Sequence, residues 1–243
     1  MENVNLNLVT RNLTCLFGTF DRNKVKVDPL RELVPGEVPK GGISQDPSSV
    51  WVFNYARAGL QVFLMERHLA IIAGGPSDSE VSRDFIPLCG QVLRACGENV
   101  MSAFGFNFDF EVDTGDAGES LAVAAGLPDR LLRPLGHVLA TGVTFRLVYR
   151  DEGVLYTVEL QDGTAPTVHL NVHFAGDMKV EDLAGAVADR YSESLEKGTR
   201  LIGAVLGGGS SGGTSGQQAD GRQALGQRTD GTQSDGPAFT RQG

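Results

Sequence analysis

The sequence predicts an α+β protein: a mainly antiparallel sheet of about six to eight strands, covered on one face by about three helices. Three observations carry this expectation. Short stretches along residues 1–206 alternate apolar and polar side chains, the period of a strand with one wet face. Two longer stretches, at 76–100 and 177–206, space their apolar residues at helical intervals. After Leu206 the composition breaks, so the fold is expected to occupy residues 1–206 as a single domain.

Taken in order, "NVNLNLVTRNLTCLF" opens with Val4, Leu6 and Leu8 set against Asn3, Asn5 and Asn7, which reads as a strand. Residues 28–49 hold Pro29, Pro35, Pro39, Pro47 and the pair Gly41-Gly42, and read as a long Pro-rich irregular loop. "VWVFNYA" at 50–56 and "LQVFLMERHLAIIAGG" at 60–75 follow as strands, the second central in the sheet or bent into a hairpin near Glu66–His68. From Pro76 to Val100, the positions Val81, Phe85, Leu88, Cys89, Val92 and Cys96 fall on one helix face. Ser77, Asp78 and Ser79 are available caps, and Pro87 marks a kink or a first turn.

The next stretch is the least ordinary in the chain. In "SAFGFNFDFEVDTGD" the residues Phe104, Phe106, Phe108, Phe110 and Val112 share one face. Asn107, Asp109, Glu111 and Asp113 share the other. Asp116 and Glu119 then read as a capping box for a short helix to about Ala125, with a second turn through Leu135. Strands are expected in "TGVTFRLVYR", "GVLYTVELQDG" and "TVHLNVHFAGD", with Asp177 capping a last long helix. The stripe of that helix is Val180, Leu183, Val187, Tyr191, Leu195, Ile202 and Val205, with Gly198 at a matching position. Two strands share the form apolar-Asn-apolar-polar-apolar before a Gly-Asp: Phe106–Phe110 and Leu170–Phe174. That recurrence raises an internal pseudo-duplication.

Residues 207–243 are rich in Gly, Ser and Gln, with three Asp and three Arg among them and scarcely a large apolar side chain. Such a segment cannot offset its ordering entropy and is expected to be a disordered tail. Phe239, in the terminal "PAFTRQG", is its one apolar anchor for docking.

Several function classes are disfavoured. The net charge of −9 lies wholly on residues 1–206, because the tail is neutral. An acidic surface repels phosphate backbones and anionic lipid, so neither nucleic acid nor membrane is an expected partner. No apolar run reaches the roughly 20 residues of a membrane span. Met1–Asn5 lacks the positive region of a secretory leader, and three cysteines without CxxC spacing read as buried thiols in a reducing cytoplasm. Within residues 1–206 no GxGxxG, Walker, GxSxG, HExxH or EF-hand pattern occurs, the serine–glycine runs of the tail have no scaffold to hold a catalytic geometry, and Gly74-Gly75-Pro76-Ser77 reads as a strand-to-helix turn. No catalytic residue, cofactor or metal is assigned, and the reading leans away from an enzyme.

The candidate partner-binding or ligand-binding residues are Asp109, Glu111, Asp113, Asn107, Asn171, His169 and His173. Carboxylates two apart on a strand lie about 6.8 Å apart, too far to share one ion unaided. His169 and His173 are four apart, about 13 Å, and cannot chelate together. The meaning of the acidic row turns on whether Arg146 and Arg150 face it across the sheet, as a charge ladder, or lie elsewhere and leave it open to a partner. The expected function is a non-enzymatic cytoplasmic binding or assembly protein acting through protein–protein contacts, with itself as one partner in a homo-oligomer. A second expectation is a small-molecule-binding or hydrolytic domain whose cavity is lined by the phenylalanines. A third is a phage or mobile-element accessory factor of the inhibitor or immunity type.

Overall fold

The computed structural model describes residues 5–43, 46, 49–75, 80–113, 144–161 and 166–206. Eight strands form one sheet: β1 (Asn5–Phe17), β2 (Trp51–Tyr55), β3 (Leu60–Leu64), β4 (His68–Gly74), β5 (Val100–Asp113), β6 (Thr144–Asp151), β7 (Val154–Gln161) and β8 (Thr167–Lys179). Among the described residues three α-helices accompany them: α1 (Val27–Arg31), α2 (Glu80–Ala95) and α3 (Val180–Leu206). The strand order is β2-β3-β4-β1-β5-β8-β7-β6, and every neighbouring pair is antiparallel. The α+β class, the antiparallel sheet and the helices on one face are as the periodicity predicts.

The topology repeats. A first strand is followed by a three-strand meander and a helix, and the last meander strand returns beside the first. β1 with β2-β3-β4 and α2 forms one half; β5 with β6-β7-β8 and α3 forms the other. β1 and β5 join the halves at the middle of the sheet. The recurrence read from sequence compares different strands: Phe106–Phe110 lies on β5 and Leu170–Phe174 on β8, which are neighbours within one half. Their likeness reflects two half-buried strands lying side by side, with Asn107 opposite Asn171.

The phenylalanine row is core. Phe104 and Phe110 are 3% exposed and Phe106 and Phe108 fully buried. Tyr191 of α3 sits edge-on to Phe106 and Phe108, with ring centroids 5.6 and 5.3 Å away. Each buried ring contributes about 1.5–3 kcal/mol. β1 supplies Leu13, Cys15 and Phe17 to the same layer, opposite Phe106, Phe104 and Met101. The α3 stripe falls as predicted, with Val180, Leu183, Val187, Gly198 and Ile202 buried.

Of the two readings of residues 60–75 the hairpin holds: β3 and β4 pair antiparallel, closed by Met65 N–H donating to His68 O at 2.7 Å. Other local expectations shift. The Pro-rich stretch begins with the short helix α1, and Lys40 exchanges backbone hydrogen bonds of 2.8 Å with Asn54 along the β2 edge. Pro87 lies inside α2. Asp177 does not cap α3, because β8 continues through Lys179, and Val180 N–H instead reaches Asn99 O at 3.0 Å. Ser77–Ser79, the helices expected over 116–135 and the 207–243 tail lie outside the described residues.

Candidate functional site

Strand pleating sends the polar partners of the core residues to the other side of the sheet. Among the described residues, α2 and α3 pack together over the core face; on the other face Asp109 and His169 are well exposed, while Thr157 is 7% exposed. Antiparallel register aligns its side chains into transverse rows. One row runs Asn54, Gln61, Ile72, Asn12, Asn107, Asn171, Thr157 and Val148 across all eight strands. Asn171 Nδ2 donates to Asn107 Oδ1 at 2.5 Å, and Thr14 Oγ1 donates to Asn12 Oδ1 at 3.1 Å. The central part of this row is a strip of amides on three adjacent strands.

The next row runs Thr10, Asp109, His169, Glu159 and Arg146 over β1, β5, β8, β7 and β6. His169 Nδ1 lies 2.6 Å from Asp109 Oδ1. An ionised carboxylate only accepts, so Nδ1 donates, and the ring holds a fixed orientation. This hydrogen bond raises the His169 pKa, desolvation opposes the rise, and the charges of Asp109 and Glu159 add to it. Arg146 Nε lies 3.2 Å from Glu159 Oε1.

The two arginines therefore do not face the β5 carboxylates. Arg146 lies opposite Glu159 and Arg150 opposite Leu155, both on β7, with β8 between β7 and β5. The partner of Asp109 is His169, which the strand order brings beside it. Glu111 and Asp113 are exposed toward one end of the sheet, opposite Asn7 and Asn5 of β1. His173 lies a row away from the amides, between Gly105 and Leu155. Of the seven candidates, Asn107, Asn171, Asp109 and His169 form two directly bonded pairs, whereas His173, Glu111 and Asp113 stand apart from them. Phe239 lies outside the described residues.

Two features were not anticipated. Glu159 flanks His169 from the side opposite Asp109; its place follows only from the β7–β8 register. Arg11 is 4% exposed on the core face of β1, where its charge lowers the pKa of Tyr191 against the raising effect of burial. A sequence signal for Arg11 does exist: it shares odd parity with Leu13, Cys15 and Phe17.

Other chemistry is muted. Cys15, Cys89 and Cys96 are buried free thiols, and burial pushes their pKa values up, that of Cys96 to about 12, so they stay protonated and unreactive. Among the described residues no three His, Cys, Asp or Glu side chains gather as a metal site would require. A hollow of about 250 Å³ opens beside Phe104, Phe174, Glu152, Asp177 and Arg190. Phe104 and Phe174 stack there, centroids 4.5 Å apart, with the Arg190 guanidinium 5.6 Å from the Phe174 ring.

No family model matches the chain, and neither a curated protein nor a solved structure matches it. The described residues define an eight-stranded antiparallel α+β protein in which a strand, a three-strand meander and a helix recur twice in that order.

Proposed function

We propose that this is a non-enzymatic binding or assembly protein of the cytoplasm, acting through protein–protein contacts made by the polar face of its sheet. The observation that carries the reading is the broad, pre-ordered face on which Asn107–Asn171 and Asp109–His169 are locked in pairs across strands. Groups already fixed by their neighbours lose little side-chain freedom on binding, the condition for a recognition surface. Amides that both donate and accept, with charge beside them, supply the hydrogen bonds that an interface needs. Residues 207–243 would serve as a tether.

The test is a photo-crosslinking residue placed at His173, compared with one at Asp189 on α3, in an extract containing the protein's natural partners. Protein adducts from position 173 and none from 189 support the reading. No protein adduct from the sheet face sinks it. A second reading, small-molecule binding, rests on the hollow beside the Phe104–Phe174 stack; the rest of the phenylalanine row is sealed in the core. Ligand-induced chemical-shift changes confined to Phe174 and Arg190 would favour it.

A further inference from the structure

The charge order of one row on the sheet face is its own complement. Across the four strands β5, β8, β7 and β6 it reads Asp109, His169, Glu159, Arg146. We propose that the sheet face pairs with a second copy of this chain, about a two-fold axis that runs parallel to the strands between β8 and β7. This rests on the reading of that face as a protein-binding surface, and names its occupant.

The geometry is that of a sheet-on-sheet contact. Rotation about such an axis reverses the strand order and keeps each row at its own height. Asp109 then faces Arg146 of the partner subunit, and His169 faces Glu159 of the partner subunit. Each contact occurs twice, as an isologous interface requires. The neighbouring rows meet without like charges: Asn107 against Val148, Asn171 against Thr157, Gly105 against Arg150, and Glu111 against Thr144. Val148, 54% exposed, gains cover.

A two-fold axis perpendicular to the strands and passing through this row would instead set Asp109 against Asp109 and Arg146 against Arg146. Of these two arrangements the charges favour the axis parallel to the strands. Aligned sheets cross at about 30°, so the match is closest at the central His169–Glu159 contacts and looser at the ends of the row. Four strands about 4.8 Å apart and about eight residues long present on the order of 500 Å² in projection, before side-chain relief. Standard interfaces bury about 800 Å² per partner, so this dimer belongs near the lower end and depends on concentration.

Charge exchange tests it. Asp109 and Arg146 are exposed enough for replacement without unfolding, which circular dichroism checks. Sedimentation equilibrium of the full chain should show a concentration-dependent dimer. Asp109→Arg sets two arginines face to face, and Arg146→Glu sets two carboxylates face to face; each should weaken the dimer by at least about tenfold. An equimolar mixture of the two variants places every Arg opposite a carboxylate and should restore dimers of mixed composition. A strict monomer at all concentrations overturns the proposal, as does a dimer indifferent to both substitutions or a mixture that stays monomeric. Adducts to other proteins from position 173 would leave the binding reading standing even then.

Discussion

Glu152 carries backbone strain. With Gly153 it forms the two-residue turn between β6 and β7, and both residues have positive φ, 46° and 86°. Such a turn favours Asn-Gly, because an ordinary side chain at positive φ crowds its own backbone. Glu152→Asn should therefore stabilise the protein by about 1 kcal/mol, read as a higher urea midpoint at unchanged slope. His169 makes a second residue-scale prediction. Its pKa is raised by the hydrogen bond to Asp109, so the pair's contribution to stability is complete below the unfolded value of about 6.5. That contribution is lost as pH rises through the folded value. Both side chains are well exposed, 39% and 49%, so the contribution should stay below about 1 kcal/mol. An NMR titration should place His169 above 6.5 in the wild type and lower in Asp109→Asn; equal values would refute the pairing.

At the scale of elements, α3 lies close against the sheet because Gly198 has no side chain. A Cβ there would collide with the Leu170 side chain, which is itself fully buried. Gly198→Val should cost about 1–3 kcal/mol through overpacking, measured by urea unfolding. Phe106→Ala, in the layer between β5 and Tyr191, should cost about 3–5 kcal/mol. Much of this scale was legible in the chain. The spacing from Val180 to Val205 located the α3 stripe, and the alternation from Phe104 to Val112 located the buried face of β5. Even the irregularity in β1 left a trace: apolar parity is even at Leu6 and Leu8 but odd at Leu13, Cys15 and Phe17. A register shift between Leu8 and Thr10 causes the switch. The start of α3 was misplaced because Asp177 resembles a cap, while pairing with β5 carries β8 on to Lys179, opposite Val100.

At the scale of the whole molecule, the two halves of the sheet share a continuous core running from Trp51 to Ile202. Residues 5–206 should therefore unfold in one cooperative step. Trp51, the one tryptophan, reports on β2 at an edge of the sheet, while far-UV circular dichroism reports chiefly on the helices. The two denaturation curves should coincide; separate midpoints would mean that the halves melt independently.

Periodicity along the chain sets the local facts. Which residues form strands and helices, which side of each strand is apolar, and which side chains are polar enough to meet a partner all follow from periods of 2 and 3.6. Strand order and register were decided only in the tertiary structure. Asp109 meets His169 rather than Arg146 because β8 inserts beside β5. A strand's own pattern is silent about its neighbour: alternation specifies which face is buried, and any strand with a matching face satisfies it. The pairing emerges from loop connections and from the packing of α2 and α3 over both halves. That same register brings Asp109, on the strand that bears the phenylalanines, into one row with His169, Glu159 and Arg146, each from a different strand.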